Sequence, residues 1–170
     1  MKQKMSYRTY ERIFSSNLKR LSVLVATERS EFFARHIEAR KTYADKLITT
    51  ILVGDAALHF LNGNSGFIDF HLITLYSKTK GSRFPFKGIS YLDYGFSKFG
   101  KTPNKNVYRG RRIALRSICI SGSVDQPIES TQQFIIKNRL GSADKIKKKA
   151  AIVIEPRVFL GYIAWPSLAR

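Results

Sequence analysis

The sequence has little negative charge, one cysteine and no long apolar run. Its 170 residues contain 12 Asp and Glu against 30 Lys and Arg, which gives a formal net charge of +18. So few acidic residues produce a positive surface potential, which favours salt-sensitive association with polyanions. RNA or DNA therefore comes first among the expected partners, with RNA favoured, ahead of an anionic membrane surface. The alternative to a polyanion partner is that the excess of basic residues only keeps the protein soluble.

The single cysteine and the short apolar runs bear on the location of the protein. Cys119 has no partner for an internal disulfide, which indicates a reducing compartment, and we expect a cytoplasmic protein. No run approaches the roughly 20 apolar residues that cross a bilayer, so no membrane-spanning segment is expected. Residues 1–27 are basic and hydroxyl-rich, as in an organellar transit segment. Their apolar residues also recur at helical spacing, which predicts a helix docked on a core, and both interpretations stay open.

The rest of the chain alternates between helix-like and strand-like patterns. This alternation predicts an α/β (α+β) domain with a mixed sheet flanked by helices. We divide the chain into a basic N-terminal helix or extension, residues 1–27, and one domain, residues 28–170. The domain is expected to contain helices over 28–49, 125–140 and 143–150 and strands over 51–54, 67–76, 111–120, 151–155 and 158–165. The strand at 51–54 is expected to stop at Gly54, and the apolar stretch continues over 56–61.

Residues 77–110 lack regular periodicity and are predicted to form a long loop, of a kind that is usually functional. Cationic and aromatic residues alternate there, so cations can neutralise phosphates while rings stack on unpaired bases. The cations of this region that we expect to bind phosphate are Lys98, Lys101, Arg109, Arg111 and Arg112, and the rings are Phe84, Phe86, Tyr91, Tyr94, Phe96, Phe99 and Tyr108. At least half of the rings are expected to fill the core instead.

Several segments carry a resemblance to a known family. They are GDAALHFLNGNSGFIDFHLITLY (54–76), RFPFKG (83–88), DYGFSKFGKTP (93–103), YRGRRIALRSI (108–118) and KKAAIVIEP (148–156). Over about residues 50–165 the chain resembles uncharacterised bacterial nucleotidyltransferase-like proteins of the polymerase β-like superfamily. The resemblance implies a glycine turn, two carboxylates at i and i+2 on one strand and a third on a neighbouring strand. Such carboxylates hold two Mg²⁺ ions, which bind a triphosphate and activate the attacking hydroxyl.

The chain departs from this family pattern at its metal ligands. Gly54 occupies the glycine turn, where it is expected to contact phosphate, but the acidic Asp55 follows it. Asp69 occupies the first carboxylate position, His71 the second and Ala114 the third. An imidazole and a methyl group do not replace two hard oxygen ligands of Mg²⁺. The resemblance therefore implies a degenerate enzyme, which uses Mg²⁺ only if it is still active and otherwise needs no cofactor.

Asp69 and His71 stand two residues apart in a predicted strand, so both project from the same face. Three interpretations stay open. The two residues are what remains of the family's catalytic and metal site, or they form a hydrogen-bonded Asp and His pair. In the third interpretation they bind Zn²⁺ together with His59. Asp93, in the predicted loop, is a candidate for a displaced carboxylate.

The first functional interpretation is a nucleotidyltransferase-like pseudoenzyme. It would bind nucleic acid, RNA above all, or a nucleotide, through the basic, aromatic-rich loop and an adjacent cleft. The second is an active metal-dependent nucleotidyltransferase that moves a nucleoside monophosphate to RNA or protein. The third is a basic structural subunit of a ribonucleoprotein particle.

Overall fold

The computed structural model of the protein describes residues 8–94, 112–140 and 150–155. In these ranges the chain forms four helices and five strands. They are α1 (Ser15–Arg35), α2 (Ile37–Tyr43), β1 (Leu47–Val53), α3 (Gly54–Asn62), β2 (Phe70–Ser77), β3 (Ile89–Asp93), β4 (Arg112–Ile120), α4 (Pro127–Lys137) and β5 (Ala151–Glu155). The protein is thus a single mixed α/β domain, which confirms the predicted class.

The five strands form one sheet in the order β3-β4-β2-β1-β5. The central pair, β2 and β4, is parallel, whereas β1 pairs antiparallel with β2 and β5, and β3 pairs antiparallel with β4. Strands β1 and β5 are the most deeply buried, as expected for continuous apolar runs. The mixed sheet places the start of β2 beside the start of β4, and it is there that the candidate site lies.

Helices α1 and α4 contact opposite faces of the sheet. Helix α1 buries Leu18, Leu21 and Val25 in the main core, and it runs without a break across residue 27. On the other face, the hydroxyls of Thr49 in β1 and Thr131 in α4 lie 2.7 Å apart. The amphipathic spacing of the first segment thus produces a helix that shares one core with the sheet.

A polar row crosses the sheet face that α1 covers. Thr50 lies opposite both Glu155 and Thr74 in register, and Ser117 follows Thr74 on β4. Arg29 of α1 donates to both carboxylate oxygens of Glu155, at 3.0 and 2.6 Å. Burial lowers the pKa of Arg29, but the hydrogen bonds and charge of Glu155 outweigh this effect and raise it. The row therefore contains a fully satisfied ion pair inside an otherwise apolar layer.

One apolar stretch had no predicted type, and one predicted helix is wrong in extent. Residues 56–61 lie in helix α3, because Ala56, Ala57 and Leu58 are strong helix formers. An apolar run this short does not distinguish a buried strand from a buried helix. The helix predicted over 28–49 divides into the end of α1 and the short α2, and β1 begins at Leu47.

The predicted loop over 77–110 is also wrong in part, because it contains the strand β3. Ile89, Tyr91 and Asp93 alternate with Ser90 and Leu92 there, a pattern that the surrounding glycines and lysines obscure. Residues 95–111 lie outside the described ranges. The predicted helix at 143–150 and the predicted strand at 158–165 also fall almost wholly outside them.

The strands predicted at 111–120 and 151–155 and the helix predicted at 125–140 are confirmed, with Pro127 in the first turn of α4. For β2 the predicted alternation holds at its start, since Phe70 and Leu72 are buried and His71 is exposed. No helix within the described ranges is long and apolar enough to cross a membrane.

Cys119 lies half-buried at the edge of a second, aromatic core around Tyr43 and Tyr76. Burial raises the pKa of the Cys119 thiol, and Lys78 opposes this rise only in part. The side chain therefore stays a neutral thiol near pH 7 and acts as a small apolar group. This agrees with the absence of a disulfide partner in the sequence.

Candidate functional site

One face of β2, β3 and β4 brings together positions that the family resemblance singles out. His71 lies opposite Ala114 of β4 and Val53 of β1, and Tyr91 of β3 lies opposite Ala114 on the other side. Residues directly opposite each other share a face, as do residues two apart on one strand. Arg112 and Arg116 therefore flank Ala114 on this face. We call the face formed by His71, Tyr91, Arg112, Ala114 and Arg116 the cationic face.

The glycine turn borders the cationic face. Gly54 begins helix α3 with φ +72°, a conformation that favours glycine, and a Cβ added there would lie 3.9 Å from Cδ2 of His71. Gly54, His71, Ala114 and Arg116 all line one open cleft of about 420 Å³. Gly54, His71 and Ala114, which the resemblance assigns to the glycine turn and to the second and third metal ligands, therefore lie close together.

Asp69, the first-ligand position, is engaged elsewhere. It precedes β2 and is only 7% exposed. Arg112, at the start of β4, donates from Nε to Oδ1 at 3.1 Å and from Nη2 to Oδ2 at 2.8 Å. This bidentate pair occupies both carboxylate oxygens of Asp69 with a guanidinium group. The nearly buried Asp69 carboxylate is thus stabilised by an arginine on the neighbouring strand.

An exposed aromatic ring stands beside this ion pair. The guanidinium carbon of Arg112 lies 4.6 Å from the ring centroid of Tyr91, which is 57% exposed. Asp93, the last residue of β3, lies opposite Arg112 in register. The candidate displaced carboxylate is therefore on a strand rather than in a loop, and it faces the same arginine that holds Asp69. A planar cation stacked on an accessible ring is a common way to present a surface to a nucleobase.

The acidic residue after the turn glycine is also paired. Nη2 of Arg8 lies 2.9 Å from Oδ2 of Asp55, and Nη1 of Arg8 donates to the carbonyl of Gly66 at 3.0 Å. The Asp55 side chain is 56% exposed, so solvent screens this pair. The charge of Arg8 still offsets the repulsion that Asp55 alone would exert on a phosphate at the turn.

Two cationic or titratable side chains in the cleft are exposed. Within the described ranges, the side chains of His71 and Arg116 make no hydrogen bond and no ion pair, and both are accessible to solvent. Sequence reasoning missed Arg116. The signal was present, because Arg116 stands two residues after the Ala114 position on the same strand and so must share its face.

His59 belongs to the fold rather than to the cleft. It is 1% exposed, its Nδ1 accepts a hydrogen bond from the Gly66 amide at 3.0 Å, and its Nε2 lies 2.8 Å from the Glu11 carbonyl. Both ring nitrogens are thus used by backbone groups, which fixes a neutral ring with its proton on Nε2. The described ranges contain no cluster of three or more His, Cys, Asp or Glu side chains placed to hold a metal ion.

Most of the predicted phosphate-binding cations lie in a segment that the structure does not describe. Lys98, Lys101, Arg109 and Arg111 all fall within residues 95–111. Of the predicted rings within the described ranges, Phe84 and Phe86 pack in the aromatic core, Tyr94 is buried, and only Tyr91 is freely exposed. Burial raises the pKa of Tyr94, whose hydroxyl accepts a hydrogen bond from Asn17. The expectation that many rings serve the core is thus met for these residues.

The donor set does not fit a two-magnesium centre. Asp69 is bound by Arg112, the second position is the imidazole of His71, and the third is the methyl group of Ala114. Magnesium prefers several oxygen ligands in octahedral geometry, and these three positions supply one carboxylate that a cation already neutralises. What the arrangement offers instead is an open cleft with one exposed arginine, Arg116, near the exposed ring of Tyr91.

Comparisons of this chain with protein-family models, with curated proteins and with solved structures find no match.

Proposed function

We propose that this chain is a nucleotidyltransferase-like protein that binds RNA on the cationic face and does not catalyse nucleotidyl transfer. One observation carries the proposal: Gly54, His71, Ala114 and Arg116 meet in one cleft whose neighbouring carboxylate, Asp69, is occupied by Arg112. A surface with cations but without ligated metal binds phosphates by charge and hydrogen bonding.

The chemistry of the face favours single-stranded RNA over a duplex. Tyr91 presents an exposed ring next to a guanidinium group, and unpaired bases stack on such rings. Arg116 pairs with Ile73, two residues after His71, so Arg116 and His71 are diagonal neighbours on one face of β4 and β2 and can contact successive phosphates of one RNA strand. The net charge of +18 adds a long-range attraction for any polyanion.

Replacing Arg116 with glutamine tests the proposed surface. We expect the affinity for a short single-stranded RNA to fall about fivefold, since one exposed charge-assisted contact contributes about 1 kcal/mol. The slope of log affinity against log salt should decrease by about 0.7, the value for one phosphate contact with a single strand. Fluorescence anisotropy over a salt series measures both quantities.

The matched control is Arg40→Gln. Arg40 is an exposed arginine of α2, before the start of β1, whereas Arg116 lines the cleft at the far end of that strand. A strand of this length separates the two sites by about 20 Å. Both substitutions remove one positive charge, so an equal loss of RNA affinity in the two variants would contradict a localised site and leave only diffuse attraction.

An active nucleotidyltransferase is the second candidate, supported by the position of the glycine turn beside β2. It predicts release of pyrophosphate from a nucleoside triphosphate in the presence of Mg²⁺ and RNA, with loss of that release in an Asp69→Ala variant. We expect no pyrophosphate release from the wild-type protein. Stable co-purification with a large RNA particle would instead support a structural subunit.

A further inference from the structure

A second cavity lies on the opposite side of the sheet from the cationic face. It has a volume of about 290 Å³ and lies between α1, the segment at 85–88 and the strands β2, β3 and β4. Its side chains come from the sheet face that Thr74 and Ser117 share, whereas His71 and Ala114 project from the other face. The cavity therefore takes no part in the proposed RNA site.

Three aromatic rings form the walls of this cavity. Phe86 lies 4.5 Å from Phe32 and 5.2 Å from Tyr76 between ring centroids, and the rings of Phe86 and Tyr76 are nearly parallel. Burial raises the pKa of Tyr76, and the nearby Arg29 opposes the rise only in part, so the ring stays neutral. Walls of this kind suit a flat ring system, which packs by stacking and by edge-to-face contacts.

The floor of the cavity is polar, which is unusual for the covered face of a sheet. Thr50 uses its only hydroxyl proton on Glu155, at 2.8 Å. The hydroxyl of Thr74, 3.0 Å from that of Thr50, must therefore donate its proton to Thr50. Thr74 Oγ1 is then left as a hydrogen-bond acceptor. A ligand that meets Thr74 must bring its own N–H or O–H group.

Two further hydroxyls line the same floor. Ser117 follows Thr74 across the sheet, and Ser90 belongs to β3 at the cavity edge. Within the described part of the chain, neither serine hydroxyl has a hydrogen-bond partner. A serine hydroxyl can donate or accept a hydrogen bond. Ser117 and Ser90 can therefore form hydrogen bonds with donor or acceptor atoms of the ligand that are adjacent to its N–H or O–H group.

The charges around the cavity balance. Arg29 lines it but is neutralised by Glu155, and the remaining lining charges are one acid, Glu28, and one base, Lys87. A neutral ligand is thus favoured over an anion. The volume is at the lower end of the range for small-molecule sites, which corresponds to one fused two-ring system rather than a larger compound.

We propose that the cavity between α1 and the sheet binds a small, neutral, planar heteroaromatic compound that donates a hydrogen bond to Thr74 Oγ1. The rings of Phe32, Tyr76 and Phe86 hold the flat body of the compound, and Ser117 and Ser90 complete its polar edge. The site is independent of the RNA-binding proposal, because it lies on the other sheet face and takes an uncharged ligand.

Benzimidazole and indene test this site. Both are flat two-ring molecules of similar size, but only benzimidazole carries an N–H donor and a ring nitrogen acceptor. We expect benzimidazole to bind the full chain more tightly than indene. The Thr74→Val variant, which keeps the side-chain shape and removes the acceptor, should bind benzimidazole about fivefold more weakly and indene unchanged. Titration followed by the amide chemical shifts of the protein measures these affinities.

Thr49→Val is the control variant, because it removes a buried hydroxyl of the same sheet on the α4 face. It should leave benzimidazole binding unchanged. Equal wild-type affinities for the two probes, or an equal effect of both substitutions, would overturn the proposal. If Thr74→Val does not fold, the wild-type spectra decide: benzimidazole must shift the amides of Thr74 and Ser117, and shifts confined to His71 and Ala114 would contradict the site.

Discussion

Replacing Arg29 with methionine is expected to lower the free energy of unfolding by about 3–5 kcal/mol, the usual cost of removing one partner from a buried ion pair. Arg29 donates two hydrogen bonds to Glu155, a residue only 6% exposed. Without the guanidinium, the carboxylate keeps one hydrogen bond, from Thr50, and stays away from water. Chemical denaturation monitored by circular dichroism measures the loss.

A double substitution separates the cost of an unpaired charge from the contribution of the pair itself. Arg29→Met combined with Glu155→Leu replaces both charges by apolar groups and should recover most of the lost stability. Lys41→Gln is the surface control, since Lys41 stands 3.7 Å from Glu38 with both side chains largely exposed. It should change the free energy of unfolding by at most about 0.5 kcal/mol. A loss of that small size for Arg29→Met would show that the pair at Glu155 is solvated in solution.

Replacing Asp69 with asparagine is expected to raise the affinity for single-stranded RNA about tenfold, which corresponds to about 1.4 kcal/mol. The substitution removes a negative charge beside the cationic face and one of the two hydrogen bonds by which Asp69 holds the Arg112 guanidinium. The less tightly held cation can turn toward a phosphate, because the Arg112 side chain is already 35% exposed. The direction is opposite to that of a metal-dependent enzyme, in which the same change removes a ligand and weakens nucleotide binding.

Asp45→Asn is the matched control for this experiment. Asp45 is exposed and precedes β1, at the end of that strand away from the cleft, and the substitution changes the net charge by the same amount. Its effect on RNA affinity should be small. Equal gains in the two variants would mean that Asp69 acts only through total charge, and a loss of affinity in Asp69→Asn would contradict the role assigned to Arg112. The expected cost in stability is about 1–2 kcal/mol, since one charge-assisted hydrogen bond is lost and the other becomes weaker.

The sequence predicts the sheet better than it predicts the segments between its strands. The alternation of His71 between buried neighbours identifies the exposed face at the start of β2, and the apolar runs at 111–120 and 151–155 identify two further strands. The helix at 54–62 was missed because six apolar residues do not reveal their period. Strand β3 was missed because Lys, Gly and Ser surround a short edge strand that is mostly exposed.

Some residues of the candidate cleft, Gly54, His71 and Ala114, were singled out from the sequence, but Arg116 and the contacts of the site were not. The spacing of Gly54, His71 and Ala114 along the chain indicates that they meet, given the family pattern, and the register of β2 with β4 brings them together. The partner of Asp69 was not predictable from spacing alone, because Arg112 becomes its neighbour only through the parallel pairing of two strands 43 residues apart. That pairing decides the chemistry of the site, since it turns the remaining carboxylate into half of an ion pair.

The buried polar row also could not be predicted from the sequence. Thr50, Thr74 and Ser117 each stand alone in an apolar strand, where a single hydroxyl is unremarkable. Only the register aligns them with Glu155 and shows that Arg29, 126 residues away, supplies the opposing charge. Long-range pairing therefore creates both of the polar features on which the two proposals depend, one on each face of the sheet.

We propose that the cationic face holds RNA through protein cations and without a bridging divalent metal. The affinity for a short single-stranded RNA, measured first in EDTA and then with added Mg²⁺, tests this proposal most directly. We expect full affinity in EDTA and weaker binding as Mg²⁺ competes for the phosphates. Binding that appears only with Mg²⁺, and that is lost in Asp69→Asn, would contradict it.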